Sequence, residues 1–232
     1  VPPKTFSFLS VLSLSVPVLI ILNMAFAVYW LIKLKKQSLL SLLVLALGYN
    51  YIVSFYKFSS QTHVLDFSFS MMSYNVRLFN LYNSIKEDDI PKKIENFILE
   101  KSPSILCFQE YDSDTSLKFE SYPYSYVTAN SSRYTSELAI FSKFKLINSA
   151  TIEFPESSNN AIFSDVIVKS DTIRVYNLHL QSSGIDPNVE PFDSKQSNRL
   201  INRLAATFKA QQVQSELVAS HISKSPYKVL LC

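Results

Sequence analysis

Two hydropathy regimes divide the chain. Residues 6–32 carry no charge, and a helix of that length rises about 40 Å. A second uncharged run, residues 37–56, is about 30 Å long as a helix, close to the hydrocarbon thickness of a bilayer. Leu, Val, Ile and Phe dominate both runs, and Trp30 and several Tyr lie near their ends, as interfacial belts favour. The pattern predicts a transmembrane helical hairpin over residues 1–58, with spans about 6–32 and 37–56. Pro17 and Asn23 interrupt the first span and call for neighbouring helices to satisfy the freed polar groups. A buried soluble hairpin fits these lengths poorly, and no small-residue cleavage site separates the runs as a signal peptide requires.

After a polar linker at residues 59–66 the period changes to two, and a soluble domain is expected over residues 67–232. Three segments run apolar and end on a polar group: Phe67–Asn75, Ser104–Glu110 and Ile173–His179. Alternation along a strand puts Phe67, Phe69 and Met71 on one face with Asn75. It likewise groups Leu106 and Phe108 with Glu110, and Ile173 and Val175 with Asn177 and His179. Three such strands can deliver an amide, a carboxylate and an imidazole to one sheet edge.

Between them, Glu87–Lys101 has helical spacing at Ile90, Ile94, Phe97 and Ile98, with Pro91 in the first turn and Pro103 after the end. Leu138–Ser142, Leu146–Glu153, Ala161–Val168 and Ile173–Leu180 read as strands, the last two joined as a hairpin. Gln181–Ser197 reads as a polar loop beside the site. Ser197–Ser223 reads as a long amphipathic helix, and Tyr227–Cys232 as a final strand. The mixture gives an α/β (α+β) class with a mixed sheet.

Charge and composition remove several function classes. A net charge of +3 is too small for a nucleic-acid-coating surface. Two cysteines in apolar runs, Cys107 and Cys232, are too few for a disulfide framework and read as buried thiols. Only two glycines occur, so Walker and Rossmann phosphate loops are absent. No Cys or His pair has zinc-ligand spacing, and there is no Gly-x-Ser-x-Gly elbow. His63 and His221 have no partner pattern and read as bystanders. The loop Lys33-Leu-Lys-Lys36 outweighs Lys4 and Lys57 in charge, which by the positive-inside rule puts that loop in the cytoplasm and the domain outside it. The expected location is the cell inner membrane, multi-pass, with the domain facing the periplasm.

Ser73-Tyr-Asn-Val-Arg-Leu-Phe79, Leu106-Cys-Phe-Gln-Glu110 and Val175-Tyr-Asn-Leu-His-Leu-Gln-Ser182 resemble the first three motifs of the endonuclease/exonuclease/phosphatase superfamily. Leu138-Ala-Ile-Phe-Ser-Lys143 resembles its central strand. The resemblance covers roughly residues 67–232 and implies a four-layer α/β/β/α sandwich with mixed sheets. Tyr227–Cys232 resembles the strand that leads into Gly-Asp-x-Asn, where the chain stops. Together with Val1 in place of Met, this implies a fragment of a longer product, incomplete at the C-terminus and inactive without the general base that motif supplies.

By the same resemblance the function is a membrane-anchored, Mg2+-dependent phosphoesterase, nuclease-like, with Mn2+ as a substitute metal. Glu110 is the implied metal ligand with Asn75 beside it, and His179 the implied catalytic donor to a phosphoryl oxygen or leaving group. Arg77, two residues past Asn75, would meet substrate phosphate if the strand continued. Asn160, before the Ala161 strand, would line the cleft. Implied partners are the membrane lipid bilayer and a phosphate ester, from a nucleic acid or a lipid headgroup. Tyr122–Tyr126 and Arg133–Tyr134 offer aromatic and basic surface for a nucleic acid. A sphingomyelinase-like lipid esterase and a catalytically inactive membrane binding protein are the alternatives.

Overall fold

The computed structural model describes residues 2–55, 68–114, 117–128, 137–185 and 194–232. The linker 59–66, Phe67, Arg133, Tyr134 and the middle of the 181–197 loop lie outside these. Two compact units are present, residues 1–65 with 186–209, and residues 66–185 with 210–232.

In the first unit a helix runs through Ser7–Ile32 (α1), apolar and long enough to cross a membrane, with almost none of that surface buried. Its start tightens to a 3-10 turn at Val11–Ser15 ahead of Pro17, whose ring cannot supply an intrahelical N–H. Asn23 satisfies itself within the helix, its Nδ2 donating to the Leu19 carbonyl at 2.9 Å, so no neighbouring helix is required. The turn is closed by Leu34 at φ 50° and a 3.0 Å bond from the Lys35 N–H to the Trp30 carbonyl. The second expected span differs: it is two shorter helices, Ser38–Leu47 (α2) and Tyr49–Phe55 (α3), parted at Gly48. Among the described residues only α1 alone has the length of a span.

The second unit holds eight strands among the described residues: β1 Met71–Asn75, β2 Ile105–Tyr111, β3 Tyr124–Val127, β4 Glu137–Ser142, β5 Leu146–Glu153, β6 Asn160–Val168, β7 Asp171–Leu178 and β8 Lys228–Leu231. They form two mixed sheets, ordered β1-β2-β4-β3 and β5-β6-β7-β8. β1 is parallel to β2 and β7 to β8, and the other neighbours are antiparallel. β3 was hidden in the Tyr122–Tyr126 stretch, whose aromatic residues suggested a binding surface. Tyr122 is instead 7% exposed in the core, and the Tyr126 hydroxyl meets Thr151 Oγ1 at 3.2 Å.

Alternation explains the layers. Ile105, Cys107, Leu138 and Ile140 of one sheet pack against Ile162, Val166, Ile173 and Val175 of the other. The opposite face of the first sheet, with Leu106, Phe108 and Phe141, takes Ile94 and Ile98 of helix α4, Ile90–Lys101. The opposite face of the second, with Ala161, Phe163 and Tyr176, takes Leu217 and Val218 of helix α5, Ser194–Ile222. Helix, sheet, sheet and helix make the four-layer sandwich that the superfamily resemblance implies. Each fully buried aliphatic side chain contributes about 1.5–3 kcal/mol. α4 begins later than its periodicity suggests, because Asp89 is left-handed at φ 58°, and it ends on left-handed Ser102 before Pro103.

The outer face of the second sheet carries a polar cluster. Arg174 and Asp165 face each other in register, with Nε to Oδ1 at 2.6 Å and Nη2 to Oδ2 at 2.8 Å, and Asn148 donates to Asp165 at 2.8 Å. His221 of α5, which the sequence left without a role, meets the Tyr176 hydroxyl through Nδ1 at 2.7 Å and packs on Phe163. Burial, followed by the charges of Arg174 and Lys224, holds the His221 imidazole below its usual pKa. The folded state therefore favours the neutral ring, and the unfolded chain binds the proton more readily. Its contribution to stability is full above about pH 6.5 and declines as pH falls through that value toward the folded pKa. Thermal unfolding between pH 8 and pH 5 should show this decline, flattened in His221→Gln; identical slopes in both proteins would contradict it.

Candidate active site

Three strand ends supply the site. β1 runs parallel to β2 with Asn75 opposite Gln109, and β1 stops there because Arg77, Leu78, Phe79 and Asn80 all turn left-handed. In β2 the register with β4 slips between Phe108 and Tyr111, so one extra residue enters the strand, and Glu110 takes φ 49°. Such a bulge re-aims a side chain. Simple alternation would put Glu110 beneath α4 with Leu106 and Phe108. The bulge gives that place to Tyr111, stacked on Phe108 with ring centroids 5.6 Å apart.

Glu110 is thereby free to meet the other two strand ends. Asn75 Nδ2 donates to Glu110 Oε1 at 2.8 Å, and His179 Nε2 lies 3.6 Å from the same oxygen. The Asn75 oxygen accepts the Arg77 N–H at 3.0 Å, so the amide is fixed at both ends. β7 stops at Leu178, and the His179 N–H donates to the Asn160 carbonyl at 3.1 Å. Burial lowers the His179 pKa, with the Glu110 carboxylate pulling weakly the other way. Burial therefore favours the neutral ring. All three side chains keep contact with solvent, His179 at 22% and Glu110 at 31% exposure.

Two expectations need correction. Arg77 does not continue β1: it begins a 3-10 turn at φ 46° and borders a cleft of about 300 Å³ with Asn75, Asn80, Ile85 and Lys93. Asn160 does not line a cleft, because it opens β6 at 2% exposure. Its carbonyl positions His179, while its Nδ2 is buried without a hydrogen-bond partner.

A support network beneath the site carried no assigned role in the sequence. Asn177, fully buried, donates from Nδ2 to the Phe108 carbonyl at 2.7 Å and the Ala139 carbonyl at 3.0 Å. Gln109 Nε2 donates to Asn177 Oδ1 and, at 3.1 Å, to Ser73 Oγ. These bonds tie the two sheets together directly behind Glu110. The available signal was an amide inside each of two otherwise apolar strands. Asn177→Leu would delete three buried side-chain hydrogen bonds, to the Phe108 and Ala139 carbonyls and from Gln109, each contributing about 0.5–1.5 kcal/mol. Chemical denaturation should register that loss, and an unchanged midpoint would refute the network's role.

Glu110 is the one carboxylate among these groups, and no cluster of three or more His, Cys, Asp or Glu suited to a metal occurs among the described residues. The donor set suits a hard cation that takes one protein carboxylate and keeps water or phosphate elsewhere, as Mg2+ does. It does not suit a closed zinc site.

A family profile described as a domain of unknown function (DUF8431) matches residues 1–55. No curated protein matches the chain. Among solved structures, humanized zebrafish (D. rerio) TDP2 aligns at 16% identity with a TM-score of 0.48, covering 70% of this chain and 59% of that one. A β-hairpin deletion mutant of beta toxin from Staphylococcus aureus aligns at 17% identity and TM-score 0.48, covering 72% and 66%. An endonuclease/exonuclease/phosphatase from Beutenbergia cavernae aligns at 12% identity and TM-score 0.47, covering 66% and 44%. The chain thus spans less than two thirds of the length of these proteins.

Proposed function

We propose that the protein is a membrane-anchored phosphoesterase whose metal site is built on Glu110. The observation that carries this reading is the meeting of Asn75, Glu110 and His179 from three separate strands at one end of the sandwich. Glu110 would hold Mg2+ or Mn2+, which polarises a phosphoryl oxygen when bound. Asn75 orients the Glu110 carboxylate through its N–H group. His179, whose backbone N–H is held by the Asn160 carbonyl, would donate to a phosphoryl oxygen or to the leaving group as charge builds. Arg77, which lines a cleft with Asn75, would add charge for substrate phosphate. Helix α1 supplies an apolar anchor, and the basic turn after it supports an inner-membrane topology with the domain outside the cytoplasm.

The reading is tested on the complete gene product with a chromogenic phosphodiester. Turnover should require Mg2+ or Mn2+, and His179→Ala should lower kcat on the order of 100- to 1000-fold. Equal turnover in a chelator would overturn it.

A further inference from the structure

Immediately after Asn75 the chain makes a short loop whose outer residues are apolar and uncovered. Leu81 is 58% exposed, Tyr82 79% and Ile85 41%. The loop is built to hold them there. Phe79, 4% exposed, anchors it among Phe108 and Tyr111 at centroid distances of 6.0 and 5.7 Å. Asn80 laces it shut: its Oδ1 accepts the Ile85 N–H at 2.9 Å, its Nδ2 donates to the Ile85 carbonyl at 3.0 Å, and its carbonyl accepts the Asn83 N–H at 2.8 Å. Left-handed φ values at residues 77–80 and 83 fix the turn. A loop whose left-handed backbone and Asn80 hydrogen bonds keep Leu81 and Tyr82 in the open is arranged for something that covers them. Its base, Asn80 and Ile85, lines the same cleft as Asn75 and Arg77, so whatever covers the loop also borders the candidate site.

We infer that the loop over residues 80–85 is a membrane-docking loop, which inserts Leu81 and Tyr82 into the bilayer interface and sets the Asn75–Glu110–His179 end of the sandwich against lipid headgroups. The bilayer is the occupant favoured by this chain. Residues 56–70 join α3 to β1 and reach at most about 50 Å when fully extended, so an apolar helix with the length of a span keeps this loop near a membrane at high effective concentration. Aliphatic side chains beside a Tyr are the composition that interfaces take. Arg77 and Lys86 flank the loop for phosphate, while Glu87, Asp88 and Asp89 follow it and select zwitterionic over strongly anionic lipid. The lipid phosphate as substrate rests on the phosphoesterase reading; the docking of the loop does not.

The full chain is placed in phosphatidylcholine nanodiscs after Trp30→Phe, which removes its one Trp. Tyr82→Trp then reports the loop alone, and Ser170→Trp reports the β6–β7 turn, at the far end of both strands from His179. Brominated lipid should quench the Tyr82→Trp emission severalfold and leave Ser170→Trp unchanged. A Tyr82→Trp emission with the wavelength of water and no quenching would overturn the inference. So would a shift produced by single-stranded DNA and not by lipid, which would assign the loop to a nucleic acid. Neither readout needs metal or turnover, so its failure is distinct from failure of the phosphoesterase reading.

Discussion

Asp165→Ala is expected to destabilise the domain by about 3–5 kcal/mol, the cost of leaving a buried charge without its partner. Arg174 is 7% exposed, and its Nε and Nη2 both donate to Asp165, which is itself 1% exposed. The Phe163 ring lies 4.5 Å from Arg174 Cζ and offers no substitute for a carboxylate. Asn148 would lose its acceptor as well. Urea unfolding of the variant should therefore show a midpoint far below that of the parent protein. Replacing both members, Asp165→Leu with Arg174→Met, should recover most of the loss, because the desolvation cost of the ion pair disappears with the pair. A single variant within 1 kcal/mol of the parent would show that the pair is open to solvent.

Glu110→Ala should abolish metal-dependent turnover of the complete gene product while leaving the fold intact. Among the described residues the carboxylate is the one acidic group in contact with Asn75 and His179, and it sits on the bulge rather than in the packed layers. Its removal deletes the acceptor of Asn75 and, under the proposed reading, the cation's protein ligand. The unfolding midpoint should move by less than about 1 kcal/mol, as for partly exposed polar groups in general. Activity retained in Glu110→Ala, at any metal concentration, would remove Glu110 from the mechanism.

Much of this was readable before the structure, for reasons specific to each element. The strands that line the sandwich interior alternate cleanly, so Ile105 and Cys107, Ile173 and Val175 declare their face in the sequence. The same periodicity carried Asn75 and His179 to the strand ends where they meet Glu110. Glu110 reached the site for a different reason than alternation: the bulge at residues 108–111 has no local signature, and Glu110 has to adopt a left-handed φ that glycine more often takes. The strand does not continue to Arg77 because a run of left-handed residues stops it, which propensity does not foresee at Arg, Leu and Phe. β3 was missed because its Tyr-rich segment reads equally as surface, and only pairing with β4 decides the matter. The Asp165–Arg174 pair was invisible for a similar reason: cross-strand register, not sequence spacing, brings the two together. The second apolar run was long enough for a span, yet Gly48 divides it, a weakness in helix propensity that hydropathy does not record.

Crystals of the chain grown with manganese, examined by anomalous diffraction, offer the most direct measurement. The account predicts one strong peak about 2.1 Å from a Glu110 carboxylate oxygen, with water completing most of the coordination. A map without density at Glu110, or with its metal in the acidic cleft formed by Glu87, Asp89, Asp112 and Asp114, would contradict it.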